Sequence, residues 1–495
     1  MNTLLVYPEF PDTYWSFRHA LAFEKKRSAF PPLGLLTISA LLPPTWQRRL
    51  VDLNVESLNA DDLAWADVVF VSAMIAQKDS LQEVIARCKA AGKRVVIGGP
   101  YVTTSVQDLG ADHIFLGEAE TTLAEFARDL ENGVAKRIYQ ADERPDLSVS
   151  PLPDFQLIDF QHYSAMSVQY SRGCPFQCEF CDIIEIYGRK PRTKSNEQII
   201  TELDKLFALG WRGMVFIVDD NFIGNKRNVK TLLPALADWS RQHNFPFSFI
   251  TEASVNLADD GELLDGMRSA GFRRVFLGIE TPVEASLKEA QKGQNLRSDL
   301  LASVHKIQGY GMEVMAGFIV GFDNDPEDIF KRQIEFIRAS AIPMAMVGLL
   351  QALPETQLWR RLAREKRLLT DSTGNNTDGS LNFIPKMNTA HLIEGYKEIL
   401  RTIYSPSEYY QRALASLGQV VVTSREPRRD GMLNDLIAFA RVVLALGIVD
   451  PARRAFWQFL RSALFQHRQK FAEAVRLAAL GYHFRKLTEF AEKNA

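Results

Sequence analysis

Through its first 350 or so residues the chain alternates short, wholly apolar runs with longer stretches in which apolar positions recur at helical spacing. The runs at residues 3–7, 50–53, 68–72, 94–97 and 113–116 are apolar on both faces, as strands of a buried parallel sheet are. Between them lie helical patterns such as residues 80–91, closed by Gly92. Five such units predict a doubly wound, Rossmann-like α/β domain over residues 1–140. Ligands of such sheets bind outside the carboxyl ends of the strands, which directs attention to residues 8–15, 73–79, 98–103 and 117–120.

Residues 141–160 are polar and contain Pro145, Pro151 and Pro153, the composition of a linker. A second series then begins, with candidate strands at 166–171, 214–218, 247–251, 275–279, 314–320 and 344–350. Helical patterns at 197–209 and 260–270 are each followed by glycine. Six units rather than eight predict a partial (β/α)6 barrel over residues 161–355, with its reactive face at the strand carboxyl ends. From residue 356 to 495 the pattern is helical, interrupted by a polar loop at 371–380, and no fixed-period repeat occurs.

Composition narrows the class. A chain of 495 residues exceeds one hydrophobic core, and 46% hydrophobic with 24% charged residues excludes disorder, collagen and coiled coil. With 58 basic and 60 acidic residues there is no global field for nucleic acid. The first residues show no basic stretch followed by a long apolar one, and no apolar run is long enough to span a bilayer, so a cytoplasmic protein is expected. Residues 420–495 are locally basic, with thirteen Lys or Arg against seven Asp or Glu. Leu433, Leu436, Ile437, Ala440, Val443 and Leu444 fall at helical spacing there, followed by Phe456, Trp457, Phe459, Leu460 and Leu464. The expectation is a helical cap with its apolar face on the barrel. The alternative is peripheral contact with the inner face of a membrane, where Arg453, Arg454, Arg461 and Arg468 would meet anionic headgroups.

Three of the four cysteines lie within eight residues, as Cys174-x3-Cys178-x2-Cys181, at the end of the first barrel strand. Three thiolates on a tight loop hold three irons of a [4Fe–4S] cluster and leave the fourth iron open to a substrate's amino and carboxylate groups. A zinc site would need a fourth ligand, but Cys88 is in the other domain and His162, the nearest upstream histidine, is not at zinc spacing.

With Phe180 before its last cysteine, this loop resembles that of the radical S-adenosylmethionine (SAM) superfamily. The likeness continues through Val218-Asp219-Asp220-Asn221, Thr251-Glu252-Ala253-Ser254, Gly278-Ile279-Glu280-Thr281 and the segment from Gly317 to Phe322. It implies SAM contacts from Phe180, Asp219, Asp220, Glu252, Glu280 and Gly317. The α/β domain directly before the barrel resembles the cobalamin-binding domain of class B radical SAM enzymes. That resemblance implies a cobalamin cradle of Ser72, Gln77, Gly98, Gly99, Thr103, Gly117 and Glu118, whose glycines would let backbone approach a large flat ligand. The Asp-x-His-x-x-Gly signature of other cobalamin proteins is missing, and the domain's histidines, His19 and His113, lie outside any such pattern. A motif histidine is therefore not expected on cobalt. Tyr7-Pro8-Glu9-Phe10-Pro11 with Trp15, Pro31-Pro32-Leu33-Gly34-Leu35 and Cys181-Asp182-Ile183-Ile184-Glu185 are similar to the branch with a DUF4070-type C-terminal region, which includes hopanoid C-2 methylases.

The resemblance implies a cobalamin-dependent radical SAM C-methyltransferase acting on an unactivated carbon of a small-molecule or lipid-like (hopanoid or isoprenoid) substrate. Its electron donor would be a flavodoxin or ferredoxin. The alternative is a non-methylating radical lyase, cyclase or coupling enzyme with a vestigial cobalamin domain. A cluster- or cobalamin-based sensor would need a DNA-binding or signalling module that the pattern lacks. A methylthiotransferase would need a second cysteine trio in the first domain, where only Cys88 is present.

Overall fold

The computed structural model describes residues 1–105, 109–375, 377–421 and 431–494. Strands β1 (Asn2–Tyr7), β2 (Gln47–Asp52), β3 (Val68–Ser72), β4 (Arg94–Gly98), β5 (His113–Leu116) and β6 (Ile138–Gln140) form one sheet in the order β2-β1-β3-β4-β5-β6. All its pairings are parallel. The apolar runs fall on β1 to β5; β6, a half-exposed edge strand, is too short and polar to show in the pattern. The helix Lys78–Ala90 ends before Gly92, which takes φ 66°, as a left-handed C-terminal cap does.

The second sheet contains β7 (Ala165–Val168), β10 (Gly213–Ile217), β11 (Phe247–Ala253), β12 (Phe272–Glu280), β13 (Glu313–Val320) and β14 (Met344–Leu349). Its order is β14-β13-β12-β11-β10-β7, parallel throughout, which is the expected six-unit partial barrel. The first barrel strand is shorter than its apolar run. It stops at Val168, and the chain continues as β8 (Ser171–Arg172), paired antiparallel with β9 (Arg192–Thr193). Buried Asp219 draws it off the sheet by accepting from the Tyr170 N–H at 2.8 Å and the Ser171 hydroxyl at 2.7 Å. The supposed linker is held rather than free: Phe155 is fully buried, and the Gln198 amide donates to the carbonyls of Leu147, Ser148 and Ser150.

An open barrel leaves two strand edges without partners. At β7, the Ser164 and Ala165 N–H groups donate to the carbonyls of Ser28 and Ala29 in the first domain, at 3.0 and 2.9 Å. At β14, the Tyr14 hydroxyl donates to the Val347 carbonyl at 2.8 Å and the Tyr404 hydroxyl to the Ala345 carbonyl at 2.6 Å. The first domain thus fills the gap and carries Trp15 into the barrel. There its indole stacks on Phe216 (5.9 Å, 5° between planes) and tilts against Phe276 at 5.2 Å.

The C-terminal region is helical, as expected. Helices Thr389–Ile403, Pro406–Gln419 and Phe471–Asn494 bury Leu392, Tyr396, Tyr409, Ala413, Leu477 and Phe484 in the core shared with the barrel. Under the strands, Arg476 pairs with Glu313 at 2.6 Å and Arg274 with Glu473 at 3.2 Å. The cap expectation fails for the stripe around residues 433–444. Helix Gly431–Val442 runs into a π-helical turn, Val443–Val449, and Leu433, Leu436, Ile437 and Leu444 face solvent while Val442 and Leu446 are buried. The Arg441 guanidinium bonds the Phe23 carbonyl at 3.0 Å, which turns the opposite face of the helix toward the first domain.

The seam contacts lead to a stability prediction. Tyr14→Phe keeps the buried ring but leaves the Val347 carbonyl unpaired, and should cost about 1 kcal/mol. Tyr14→Ala also opens a cavity and should cost roughly 3–5 kcal/mol in urea melts of the whole chain.

Candidate active site

The three cysteines lie on the loop of the β8–β9 hairpin, at the carboxyl end of the barrel's first strand. Gly173 begins that loop at φ 94°, where a side chain would strike the Gly188 carbonyl at 2.8 Å. Asp220, at the end of β10, accepts from the Gly173 N–H at 3.1 Å. Two carboxamides point at the thiols: Asn221 Nδ2 lies 3.9 Å from Cys174 Sγ, and Gln294 Nε2 lies 3.7 Å from Cys178 Sγ. Burial pushes the Cys174 thiol up and the Cys181 thiol well above its ordinary value. Bound iron would hold both as thiolates. Donor set, loop and amide N–H groups therefore fit a [4Fe–4S] cluster.

The rest of the loop is clamped by the C-terminal region. The Glu179 N–H donates to the Ala290 carbonyl at 3.0 Å, and the Glu179 carbonyl accepts from the Leu358 N–H at 2.8 Å. Its carboxylate takes a charge-assisted bond from Arg361 at 2.6 Å, and Arg361 also reaches Asp323 at 2.8 Å. Arg361 carries no motif signal, because its meaning depends on carboxylates 182 and 38 residues earlier in the chain.

Above the cluster loop the structure gathers the residues expected around SAM and sorts them. Phe180 faces Phe322, with ring centroids 6.2 Å apart. Gly317 lines the lumen beside Phe276, whose ring would lie 3.1 Å from a side chain there. Asp219 is taken up by Tyr170 and Ser171, and Asp220 by the cluster loop, so both shape the site rather than face it freely. Glu280 sits at φ 64° and is ion-paired with buried Lys292. Burial opposes the Lys292 charge, but the Glu280 carboxylate holds it protonated. Lys292 and Gln294 lie in a turn after β12 that no sequence pattern singled out. Glu252 differs from the others, because no hydrogen bond from the described residues reaches its carboxylate. Burial first, then Asp220 and Asp219, push it up to about 8. A lone lumen carboxylate of this kind fits a cationic ligand group.

In the first domain, Ser72, Gly98, Gly99, Thr103 and Gly117 gather at the carboxyl ends of β3, β4 and β5. Gly99, at φ 98°, lies so close to Ser72 that a side chain would meet its hydroxyl at 2.6 Å. Thr103 donates to the Gly99 carbonyl at 2.9 Å and accepts from the Gly117 N–H at 3.0 Å. Gly117, at φ 78°, has open space over it. These five form a backbone-lined cradle that suits a broad flat ligand. Gln77 and Glu118 are engaged by protein groups. Buried Gln77 donates to the Pro8 carbonyl at 2.5 Å and accepts from the Met74 N–H at 2.9 Å. Glu118 binds Arg172 and Arg192, each at 2.6 Å, tying the cradle to the two strands that flank the cluster loop.

Two measurements test this geometry. Cys174→Ala, Cys178→Ala and Cys181→Ala should each lose iron and the cluster's visible absorbance after anaerobic reconstitution, whereas Cys88→Ala, buried in the other domain, should keep both. Second, burial raises the Glu252 carboxyl in the folded chain to about 8, against its ordinary value of 4.5 in the unfolded chain. Folded protein then binds the extra proton, so stability declines as pH rises from the lower value and levels off above the higher. Glu252→Gln should lack that decline. The stability gap between variant and wild type should widen by more than about 1 kcal/mol across the window, read by chemical denaturation at each pH.

Comparison with known proteins agrees with this arrangement. Residues 23–127 match the B12 binding domain, residues 168–337 the radical SAM superfamily, and residues 356–495 DUF4070, a domain of unknown function. An uncharacterized methyltransferase of Synechocystis is 44% identical, covering 100% of this chain and 93% of its own length. The hopanoid C-2 methylase of Rhodopseudomonas palustris is 35% identical, covering 92% and 88%. Among solved structures, the radical SAM methyltransferase TsrM of Kitasatospora setae, with cobalamin and a [4Fe-4S] cluster bound, matches with a TM-score of 0.63 over 97% of this chain and 99% of TsrM, at 15% identity. The cobalamin-dependent SAM radical enzyme OxsB matches with a TM-score of 0.62 over 99% and 80%, at 16% identity. Those two likenesses establish the fold. The cofactors are a [4Fe–4S] cluster and SAM in the barrel and cobalamin in the first domain. With matches to all three regions in this order, and relatives above 30% identity spanning nearly its whole length, the chain belongs to the cobalamin-dependent radical SAM methyltransferases that carry a DUF4070 region.

Proposed function

We propose that the enzyme methylates an unactivated carbon of a lipid-like substrate, of hopanoid or isoprenoid type. The observation that carries this reading is the 35% identity to a hopanoid C-2 methylase over 92% of the chain. The lumen supports it. Trp15, Phe30, Phe216 and Phe276 form an aromatic cluster, with Phe276 in register beside Glu252 and two residues before Gly278, and with Phe30 and Phe216 centroids 5.1 Å apart. Flat, largely apolar walls suit a polycyclic or isoprenoid skeleton.

The bound cofactors supply the reductive cleavage of SAM and the methyl group. This chain's residues supply placement. Cys174, Cys178 and Cys181 would hold the cluster, and Phe180 would lie against the nucleoside. Glu252 would face the positive end of SAM, and the cradle at Gly98, Gly99 and Gly117 would seat the corrin. The filled seam at Tyr14 and Ser28 keeps bulk water from entering between β7 and β14, as a radical site requires. A one-electron donor of the flavodoxin or ferredoxin class would approach exposed Arg189 and Lys190, where Arg189 bonds the Pro175 carbonyl of the cluster loop at 3.3 Å. The setting we propose is cytoplasmic, with peripheral contact at the inner face of the membrane.

Anaerobic turnover with SAM carrying a deuterated methyl group should place the label on a polycyclic lipid product, read by mass spectrometry. Formation of 5′-deoxyadenosine with no labelled product and no bound corrinoid would favour a non-methylating radical reaction instead. Gly99→Val should weaken corrinoid binding at least tenfold, because its side chain would strike Ser72 and the Ala73 carbonyl. Cluster assembly in the barrel should be unaffected.

A further inference from the structure

The apolar stripe that faces away from the core is part of a larger surface. Leu444, Ile448 and Val449 on the π-helical turn are all more than half exposed. On the next helix, Arg453–Gln466, Trp457 and Leu464 are nearly half exposed and Phe465 is 79% exposed. The two segments are joined side to side. The Trp457 indole N–H donates to the Gly447 carbonyl at 3.0 Å, and a side chain at Gly447 would come within 3.0 Å of the Phe456 and Trp457 rings. With its one polar atom satisfied internally, Trp457 presents only its apolar ring. The inward faces of the same elements are well packed, through Leu446, Phe456, Phe459 and Leu460. The outward residues are therefore not a core that failed to close. They are a second apolar face, larger than the scattered hydrophobic residues of an ordinary surface.

Charge selects the occupant. Arg453, Arg454 and Arg461 on this helix and Arg468 just beyond its end are exposed, interspersed with Trp457, Leu464 and Phe465. The helix Arg453–Gln466 contains no acidic residue. Among the described residues none of these four arginines is in an ion pair, although arginines elsewhere in the chain commonly are. A second copy of the chain would bring arginine against arginine, and an uncharged apolar partner would leave all four unmatched. A sheet of anionic headgroups over acyl chains satisfies both features, since arginines reach the phosphates while the rings enter the boundary layer. No described helix is long and apolar enough to cross a bilayer, so the contact lies on the surface.

We infer that the exposed face formed by Leu444, Ile448, Trp457, Leu464 and Phe465, rimmed by these arginines, docks the enzyme on an anionic lipid bilayer. The surface stands on its own geometry. Its purpose, to shorten the path of a lipid-like substrate into the barrel, rests on the function proposed above.

The test is co-sedimentation of the full chain with phosphatidylglycerol–phosphatidylcholine vesicles and with phosphatidylcholine vesicles, at low salt. Binding should be at least tenfold stronger to the anionic vesicles and should weaken as salt rises. Replacing Trp457, Leu464 and Phe465 together by Ser should reduce binding at least tenfold. Arg→Gln changes at 453, 454, 461 and 468 should reduce it by about fivefold per charge. Leu464, Phe465 and the four arginines are exposed, so their replacement should leave the thermal midpoint at the wild-type value, whereas Trp457→Ser also gives up its bond to Gly447 and should lower it. A single Phe465→Ser variant serves if the triple variant melts early. Absence of anionic-vesicle binding, binding unchanged in these variants, or a dimer in light scattering that Phe465→Ser dissociates would each overturn the inference. None of these readouts needs cofactor or turnover. Methylation of detergent-dispersed substrate should be kept by the Ser variants, so failure of the docking face and failure of the proposed reaction are distinguishable.

Discussion

A parallel sheet of six strands that does not close on itself has two rows of backbone groups with no partner, and most of this molecule follows from satisfying them. The first row is met by residues 28–29 of the N-terminal domain, the second by two tyrosine hydroxyls, one from the N-terminal domain and one from the C-terminal helices. Unpaired edge groups buried in apolar surroundings are costly, so both flanking regions are held on the barrel by a requirement of the backbone itself. Trp15 enters the lumen as a consequence, one residue beyond the tyrosine that binds β14. The same docking brings the carboxyl end of β5 against the cluster hairpin, where Glu118 meets Arg172 and Arg192.

Buried ion pairs then set this arrangement. Glu118 joins the cradle to both strands of the cluster hairpin through Arg172 and Arg192, and Arg361 joins the hairpin loop to the C-terminal region through Glu179. Such pairs add little net stability over a well-packed apolar contact, but breaking one strands a charge in a dry interface, so they penalise any other relative placement. A reaction that passes a methyl group between separately bound cofactors has that need for placement. The region known only as DUF4070 acquires two roles in this chain: it buttresses the cluster loop, and it carries the outward apolar face.

Periodicity misled where two faces competed. Residues 433–444 repeat at helical spacing, and a stripe of that kind ordinarily turns inward. Here the inward positions are Val442 and Leu446, and the wider π-helical turn at Val443–Val449 lets Phe456 and Trp457 close on Gly447. Both faces of this segment carry apolar residues, so spacing alone does not distinguish the one that meets the core. Gln77 and Glu118 have protein partners that the sequence did not reveal, for a related reason. A polar residue at a strand end has the same sequence signature whether it faces a ligand or an arginine from another domain.

By itself the sequence determined the elements and the chemistry that lies close along the chain. All eleven expected strands appear, because burial on both faces leaves a continuous apolar run. The cysteine loop is legible because its three ligands lie within eight residues. The glycine turns are legible because a positive φ has few alternatives to glycine, as at Gly99 and Gly117. Tertiary structure alone decided which carboxylates are taken up, leaving Glu252 without a hydrogen-bond partner among the described residues while Asp219, Asp220, Glu118 and Glu280 have theirs. It also placed Lys292 and Gln294 beside the thiols and turned the C-terminal stripe outward. The physical reason is range. Backbone propensity and burial act within a few residues, whereas charge pairing and edge hydrogen bonding join groups whose separation along the chain, 182 residues for Arg361 and Glu179 and 333 for Tyr14 and Val347, carries no local trace.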